Sequence, residues 1–169
     1  MISFIKNYFE KRRVRGVFER AVSPEVMNEL LEDNYDFSKL DQRPVGVVML
    51  LVGGSTPANA SQNIAMVTEL AHAHGAEYDA ITGGLMVYCF GKHPTETADS
   101  VRRLAFVEAV RAKLGNEVRI VHGAGTGQVG LFGCESHVLT YTFLMPKFDA
   151  ALGILVNLPN GDVKEVPFG

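Results

Sequence analysis

Gly125, Gly127 and Gly130 have the G-x-G-x-x-G spacing of a dinucleotide-binding turn, and they follow an apolar stretch at residues 118–121. That chemistry needs a helix to open at the third glycine, so that its N-terminus faces a pyrophosphate. Residues 131–144 instead hold Gly133 and side chains that favour strands, so a hairpin or bulge is the expected use of these glycines. A second turn, Gly53, Gly54, Ser55 and Thr56, ends an apolar run but lacks the lysine of a phosphate-binding loop. His72 and His74 are two apart, which points them to different sides of a helix, and no third metal ligand is near. His122 and His137 have no nucleophile beside them to activate and read as strand residues. Cys89 and Cys134 lack metal spacing and read as reduced, packed thiols.

The elements that would position these groups follow from periodicity. Residues 2–20 predict an amphipathic helix, with Ile5 and Phe9, then Val14 and Phe18, at spacings of four. Ser23 as N-cap and Pro24 at the first helical position open a second helix, and residues 33–44 read as a polar linker. From residue 45 the pattern changes. Residues 45–52 form an apolar, β-branched run of the kind expected for a central strand covered on both faces. A helix over 63–74, a hairpin of 78–81 and 85–90 through Gly83-Gly84, and a helix over 95–114 follow. Strands are expected at 118–121 and 138–144, and a last hairpin at 154–158 and 163–166. The order is β-α-β-β-α-β and then more strand: an α+β, ferredoxin-like sandwich behind a helical N-terminal connector, with the boundary at residues 44 and 45.

Three stretches sharpen that order. Residues 18–31 (FERAVSPEVMNELL), 80–91 (AITGGLMVYCFG) and 118–129 (VRIVHGAGTGQV) resemble, in sequence and spacing, the catalytic domain of the class III adenylate and guanylate cyclases. They are similar to the segment leading into that domain, to its "I-G-D-G-L-M-A-V-F-G" hairpin and to its "G-I-H-T-G-x-V" strand. Tyr141 and Thr142 match the "Y-T" that comes next.

The resemblance implies chemistry that this chain lacks the groups to perform. The family holds two metal ions with two aspartates, and these activate a ribose hydroxyl and neutralise the triphosphate. At the matching positions stand Leu51 and Gly83, neither of which can ligate. Asp79 precedes Gly83 by about 13 Å of strand, too far to substitute in a site whose metals lie about 4 Å apart. It falls near the place of the family's base-reading lysine, and Pro146 falls at that of its base-reading aspartate. The transition-state asparagine and arginine positions become Asp149 and Gly153, and no arginine follows Arg119 anywhere. In the family the strand-end turn approaches the triphosphate, which makes Gly53, Gly54, Ser55 and Thr56 the candidate vestigial phosphate turn. Glycines that merely end a strand are the plainer reading. The resemblance thus implies a degenerate, non-catalytic domain without metal or cofactor. It would act in signal transduction as a homodimer or beside another cyclase-type domain. The alternative is a nucleotide or small-ligand sensor using the old cleft.

Charge and composition narrow the partners. Residues 1–20 carry six basic and two acidic side chains, a balance of +4, against −3 for all 169 residues. An acidic body behind a basic head argues against nucleic-acid binding by the domain. The head is read as a dimerising or docking connector in preference to a membrane-surface helix, with a solvated helix packed on its own domain as the alternative. No apolar run approaches the roughly 20 residues that span a bilayer, and early charges interrupt any signal peptide, so a cytoplasmic location is expected.

Overall fold

The apolar run after residue 44 lies at the middle of the sheet because both of its faces meet another layer. The computed structural model describes residues 40–54, 56–93, 96–134 and 138–169. The two expected N-terminal helices lie outside them. The elements are β1 (Asp41–Val52), α1 (Pro57–Ala73), β2 (Glu77–Thr82), β3 (Leu85–Phe90), α2 (Ser100–Leu114), β4 (Val118–Cys134), β5 (Val138–Leu144), α3 (Phe148–Asn157) and β6 (Val163–Glu165). The first six follow the expected β-α-β-β-α-β order. The strands form one sheet in the order β2-β3-β1-β4-β5, with β6 pairing β4 off that path.

Alternation along β1 divides the core. Val48, Leu50 and Val52 pack with Phe106, Val107 and Val110 of α2 and with Val67 and Ala71 of α1. Val45, Val47 and Met49 face the other way, onto Ala151 and Leu155 of α3 and onto Phe168 of the C-terminal tail. Each fully buried Val, Leu or Phe contributes about 1.5–3 kcal/mol relative to exposure, so a strand filled on both faces anchors the fold. Caps fix where the helices begin. The Thr56 hydroxyl accepts from the Asn59 N–H at 3.2 Å and Pro57 takes the first turn, so α1 starts six residues before the expected Asn63. Asp99 accepts from the N–H groups of Val101 and Arg102 at 2.9 and 3.1 Å, which moves the start of α2 from residue 95 to Ser100.

Three expectations are corrected. Strand β1 begins at Asp41, inside the stretch read as linker, because residues 41–44 pair with residues 126–129 of β4. The glycine-dense segment after residue 121 is neither a hairpin nor a bulge but the middle of the 17-residue β4. Its glycines serve the C-terminal tail, which crosses beside it. The Val166 N–H donates to His122 O at 2.9 Å and the Phe168 N–H to Ala124 O at 3.1 Å. A Cβ on Gly123 would lie 1.8 Å from Val166 O, and one on Gly125 would lie 2.5 Å from Gly169 N. The expected final hairpin also fails. Residues 154–157 belong to α3, whose Ala151 and Leu155 bury one turn apart, and β6 runs parallel to β4 at residues 120–122. The outer edge of β4 is therefore completed by two segments, β5 on its second half and β6 with the tail on its first.

Gly123→Ala should destabilise the domain by about 2 kcal/mol, because the tail backbone must shift away from the new methyl group. A urea-unfolding midpoint that matches the parent chain would show that the tail does not sit against Gly123.

Candidate functional site

The positions singled out for metal chemistry do come together. Leu51 is opposite Leu85 across β1 and β3, and the Val52 N–H donates to Gly84 O at 2.8 Å. This places the end of β1 against the β2–β3 turn, where Gly83 has a left-handed φ of 60°. The chemistry at this sheet end is apolar. Leu51 and Leu85, like Leu152, Ile154 and Leu158, pack against the buried cluster that includes Val47, Met49, Ala151 and Leu155. Asp149 and Gly153 are exposed on α3, four residues apart and so on one side of that helix. Pro146 precedes the helix and is exposed.

Backbone groups of the strand-end turn are largely spent inside the protein. The Gly53 N–H donates to Glu117 O at 2.6 Å, and Gly53 O accepts from Asn63 Nδ2 at 3.0 Å. Asn63 also donates to Glu117 Oε2 at 2.6 Å. Thr56 caps α1, and Ser55 lies outside the described residues. A phosphate arriving at Gly53 would have to displace these bonds.

A different cluster of ionisable groups is buried across the two edges of the sheet. The register of β2 on β3 shifts between Tyr78 and Ala80, leaving Asp79 as the extra residue. Such a bulge re-aims its side chain. Here Asp79 accepts from Thr142 Oγ1 of β5 at 2.9 and 3.0 Å and pairs with Lys92 Nζ at 3.2 Å. Lys92 also donates to Tyr78 O at 3.0 Å. The sheet thereby curls until its two edge strands are bridged by side chains. The next residue, His93, has Nε2 2.9 Å from Glu77 Oε2 and stacks on Tyr141 at 5.3 Å between ring centroids. The Tyr141 hydroxyl donates to Lys92 O at 3.1 Å. Lys92 and His93 are each 1 % exposed, so the loop between β3 and α2 is pinned by polar side chains turned inward.

Electrostatics decide which of these groups carry charge. Burial pushes the Glu77 carboxyl up from its ordinary value. Burial first, then the hydrogen bond and negative charge of Glu77, raise Glu96 from 4.5 to about 8. Burial and the Lys92 ammonium lower His93 from 6.5 to about 3, so its imidazole is neutral at pH 7. Burial opposes the charge on Lys92, but Cys89, Asp79 and Glu77 around it outweigh that and hold its pKa above the ordinary value. Burial also pushes the Cys89 thiol well up. The amine is therefore protonated and the thiol is not a thiolate, and neither is a poised nucleophile. The arrangement can hold a loop and bridge two strand edges. It offers no open position to a substrate.

Sequence reasoning noted Asp79 for its place but missed Glu77, Lys92, His93, Glu96 and Thr142 as a group. One signal was available: Glu77 and Asp79 are two acids on a short strand beside an apolar hairpin, and a strand in such surroundings buries an acid only against a partner. His122 is buried on β4 as expected, with Nδ1 3.9 Å from Glu165 Oε1, and burial lowers its pKa. His137 and the side chain of Cys134 lie outside the described residues. Among the described residues there is no group of three or more His, Cys, Asp or Glu side chains placed to hold a metal ion.

No protein-family model matches the sequence, and no curated protein does. Solved structures do. The adenylyl cyclase CyaB from P. aeruginosa superposes with a TM-score of 0.63 at 16 % identity, over 74 % of this chain and 77 % of that one. A non-canonical dimeric guanylyl cyclase domain of the RhoGC fusion protein from the aquatic fungus Blastocladiella emersonii gives 0.57 at 14 %, over 73 % and 79 %. A bacterial light-regulated adenylyl cyclase gives 0.62 at 12 %, over 92 % of this chain and 51 % of that one. The fold is that of the class III nucleotide cyclase catalytic domain.

The buried cluster predicts a pH dependence with a definite sign. Glu96 has a folded pKa above its unfolded one, so its contribution is complete below pH 4.5 and is lost as the pH rises through about 8. His93 is depressed instead, so its contribution is lost as the pH falls from 6.5 towards 3. The melting temperature should fall between pH 6 and 9, and Glu96→Gln should flatten that fall while leaving the acid side unchanged. Parallel curves for the two proteins above pH 6 would show that Glu96 is not buried against Glu77.

Proposed function

We propose that this cyclase-fold domain is not a catalyst and works by association, as a regulatory module in signal transduction. It would pair with a second copy or with another cyclase-type domain. The observation that carries this reading is the sheet end formed by Leu51 and Gly83. Two carboxylates there would hold the metal ions of the family's reaction. Instead an isobutyl group packs into the apolar cluster beside a glycine turn. The loss extends to α3, where Gly153 stands at the position of the cationic transition-state group, a kind of group usually worth several kcal/mol to catalysis. Asp79, the acid nearest the old base-reading position, is turned onto Lys92 and Thr142. Support for association comes from the dimeric guanylyl cyclase domain among the structures that share this fold.

Incubation of the purified chain with ATP or GTP and manganese should yield no cyclic nucleotide above a buffer control, and sedimentation should show a concentration-dependent dimer. Cyclic AMP or cyclic GMP formed in proportion to enzyme would overturn the non-catalytic reading. A melting scan with the same nucleotides separates the sensor alternative. A ligand at roughly 100 times its dissociation constant adds about 2.7 kcal/mol to the folded state. No shift is expected here, since the turn at Gly53 is already internally bonded.

A further inference from the structure

The clasp around Asp79 and the helix cap beside it use up the nearby cations, and two carboxyl groups are left over. Lys92 Nζ is 3.2 Å from Asp79 Oδ1. Arg102 Nε is 3.1 Å from Asp99 Oδ2, and Arg43 pairs with Asp41. Glu77 of β2 and Glu96, which lies between β3 and α2, have no Lys or Arg ion-pair partner among the described residues. Glu77 Oε2 meets the His93 ring at 2.9 Å, and that imidazole is neutral at pH 7. From β5, the Tyr141 and Thr142 hydroxyls donate to Lys92 O and to Asp79, and the Cys89 thiol of β3 donates to Glu77 O at 3.6 Å. Glu96 Oε2 is buried, and no described N–H or hydroxyl donates to it. The Glu77 and Glu96 side chains bond to each other instead. Two carboxyl groups can do so only by sharing a proton, because each is purely an acceptor when ionised.

That proton also holds backbone in place. The Glu96 N–H donates to His93 O at 3.1 Å, and the Asp99 N–H to Thr97 O at 2.7 Å. Gly91 has a left-handed φ of 79°, and a Cβ there would lie 2.5 Å from Ala98 N. The chain thus doubles back onto the end of β3. Glu96 is the side chain that ties the returning stretch to the edge strand β2.

We propose that Glu96 is a proton-operated catch: protonated, it holds Glu96, Thr97 and Ala98 against Glu77 and the end of β3, and ionised, it releases them. The Lys92–Asp79–Thr142 clasp stays closed throughout, so the two sheet edges remain joined and the change is local. Glu96 sits at about 8 when held and at 4.5 in water, so rising pH favours release over that interval and no further above it. Glu77, raised by burial, acts in the same direction. His93 moves only between about 3 and 6.5, below the upper part of this window. From pH 6.5 to 8 release should therefore grow about tenfold per pH unit, roughly thirtyfold in all.

Amide hydrogen exchange of the full chain, corrected for its intrinsic dependence on pH, tests this. Protection of the Glu96 and Asp99 amides should fall roughly thirtyfold from pH 6.5 to 8 and then level off, while central amides of β1 such as Val48 keep theirs. Glu96→Gln carries its own donor at every pH and should abolish the fall. Glu77→Gln removes the charge that helps raise Glu96 and should move the fall to lower pH. Flat protection at Glu96 in the parent chain would overturn the catch, and so would an equal fall in β1, which marks global unfolding. A fall of the parent's size in Glu96→Gln would overturn it as well. The comparison within the parent chain decides even where a variant fails to fold.

Discussion

Covering both faces of β1 is the constraint on which the rest of the structure depends. The strand presents buried side chains in both directions, and it hydrogen-bonds to β3 on one side and β4 on the other. One face receives α1 and α2, two long helices with well-formed caps. The other receives a ten-residue helix and a seven-residue tail segment that could not do so without help. The tail reaches the sheet only because β4 has hydrogen in place of side chains at Gly123 and Gly125, where the backbone of residues 166–169 passes. The short helix contributes few buried residues, so the tail residue Phe168, fully buried, supplies much of the cover over Val45 and Val47. The glycines of β4, the curl of the sheet and the placement of α3 all answer to the same need.

This explains which parts of the fold were legible in the sequence. Elements whose signal is local could be read. The apolar run of β1, the Gly83 turn and the Gly115 end of α2 each state their conformation in the residues that adopt it. Elements whose meaning is set elsewhere could not. The glycines of β4 look like a loop until the tail beside them is known, because a glycine required by close approach is spelled the same as one required by a turn. Residues 154–157 have the β-branched content of a strand, and tertiary burial at the i, i+4 pair Ala151 and Leu155 overrode that propensity. The start of α2 lies five residues beyond the expected residue 95, because the side chain of Asp99 supplies the cap.

The candidate site divides the same way. Its departures from the family motif could be read, since a leucine or a glycine where the motif has a carboxylate is a fact of the sequence. Its gain could not. The bridge from Asp79 to Thr142 joins residues 63 apart through a bulge, and nothing in the local pattern announces a bulge that aims an acid across the sheet. Lys92 and His93 follow directly on a buried strand, where a chain normally reaches solvent. Their full burial follows from the curl that brings β5 to the edge of β2.

The side chain at position 51 decides how this end of the sheet is packed. A metal-binding carboxylate at the position of Leu51 would require water, metal and an open approach, and that end of the core would have to stay wet. With leucine there, Leu51 packs against the same buried core as Leu85, Leu152, Ile154 and Leu158. The helix that packs against this core has Ala150, Gly153 and Val156 exposed on its outer side. An apolar outer side is a liability in a solvated monomer and an asset at an interface.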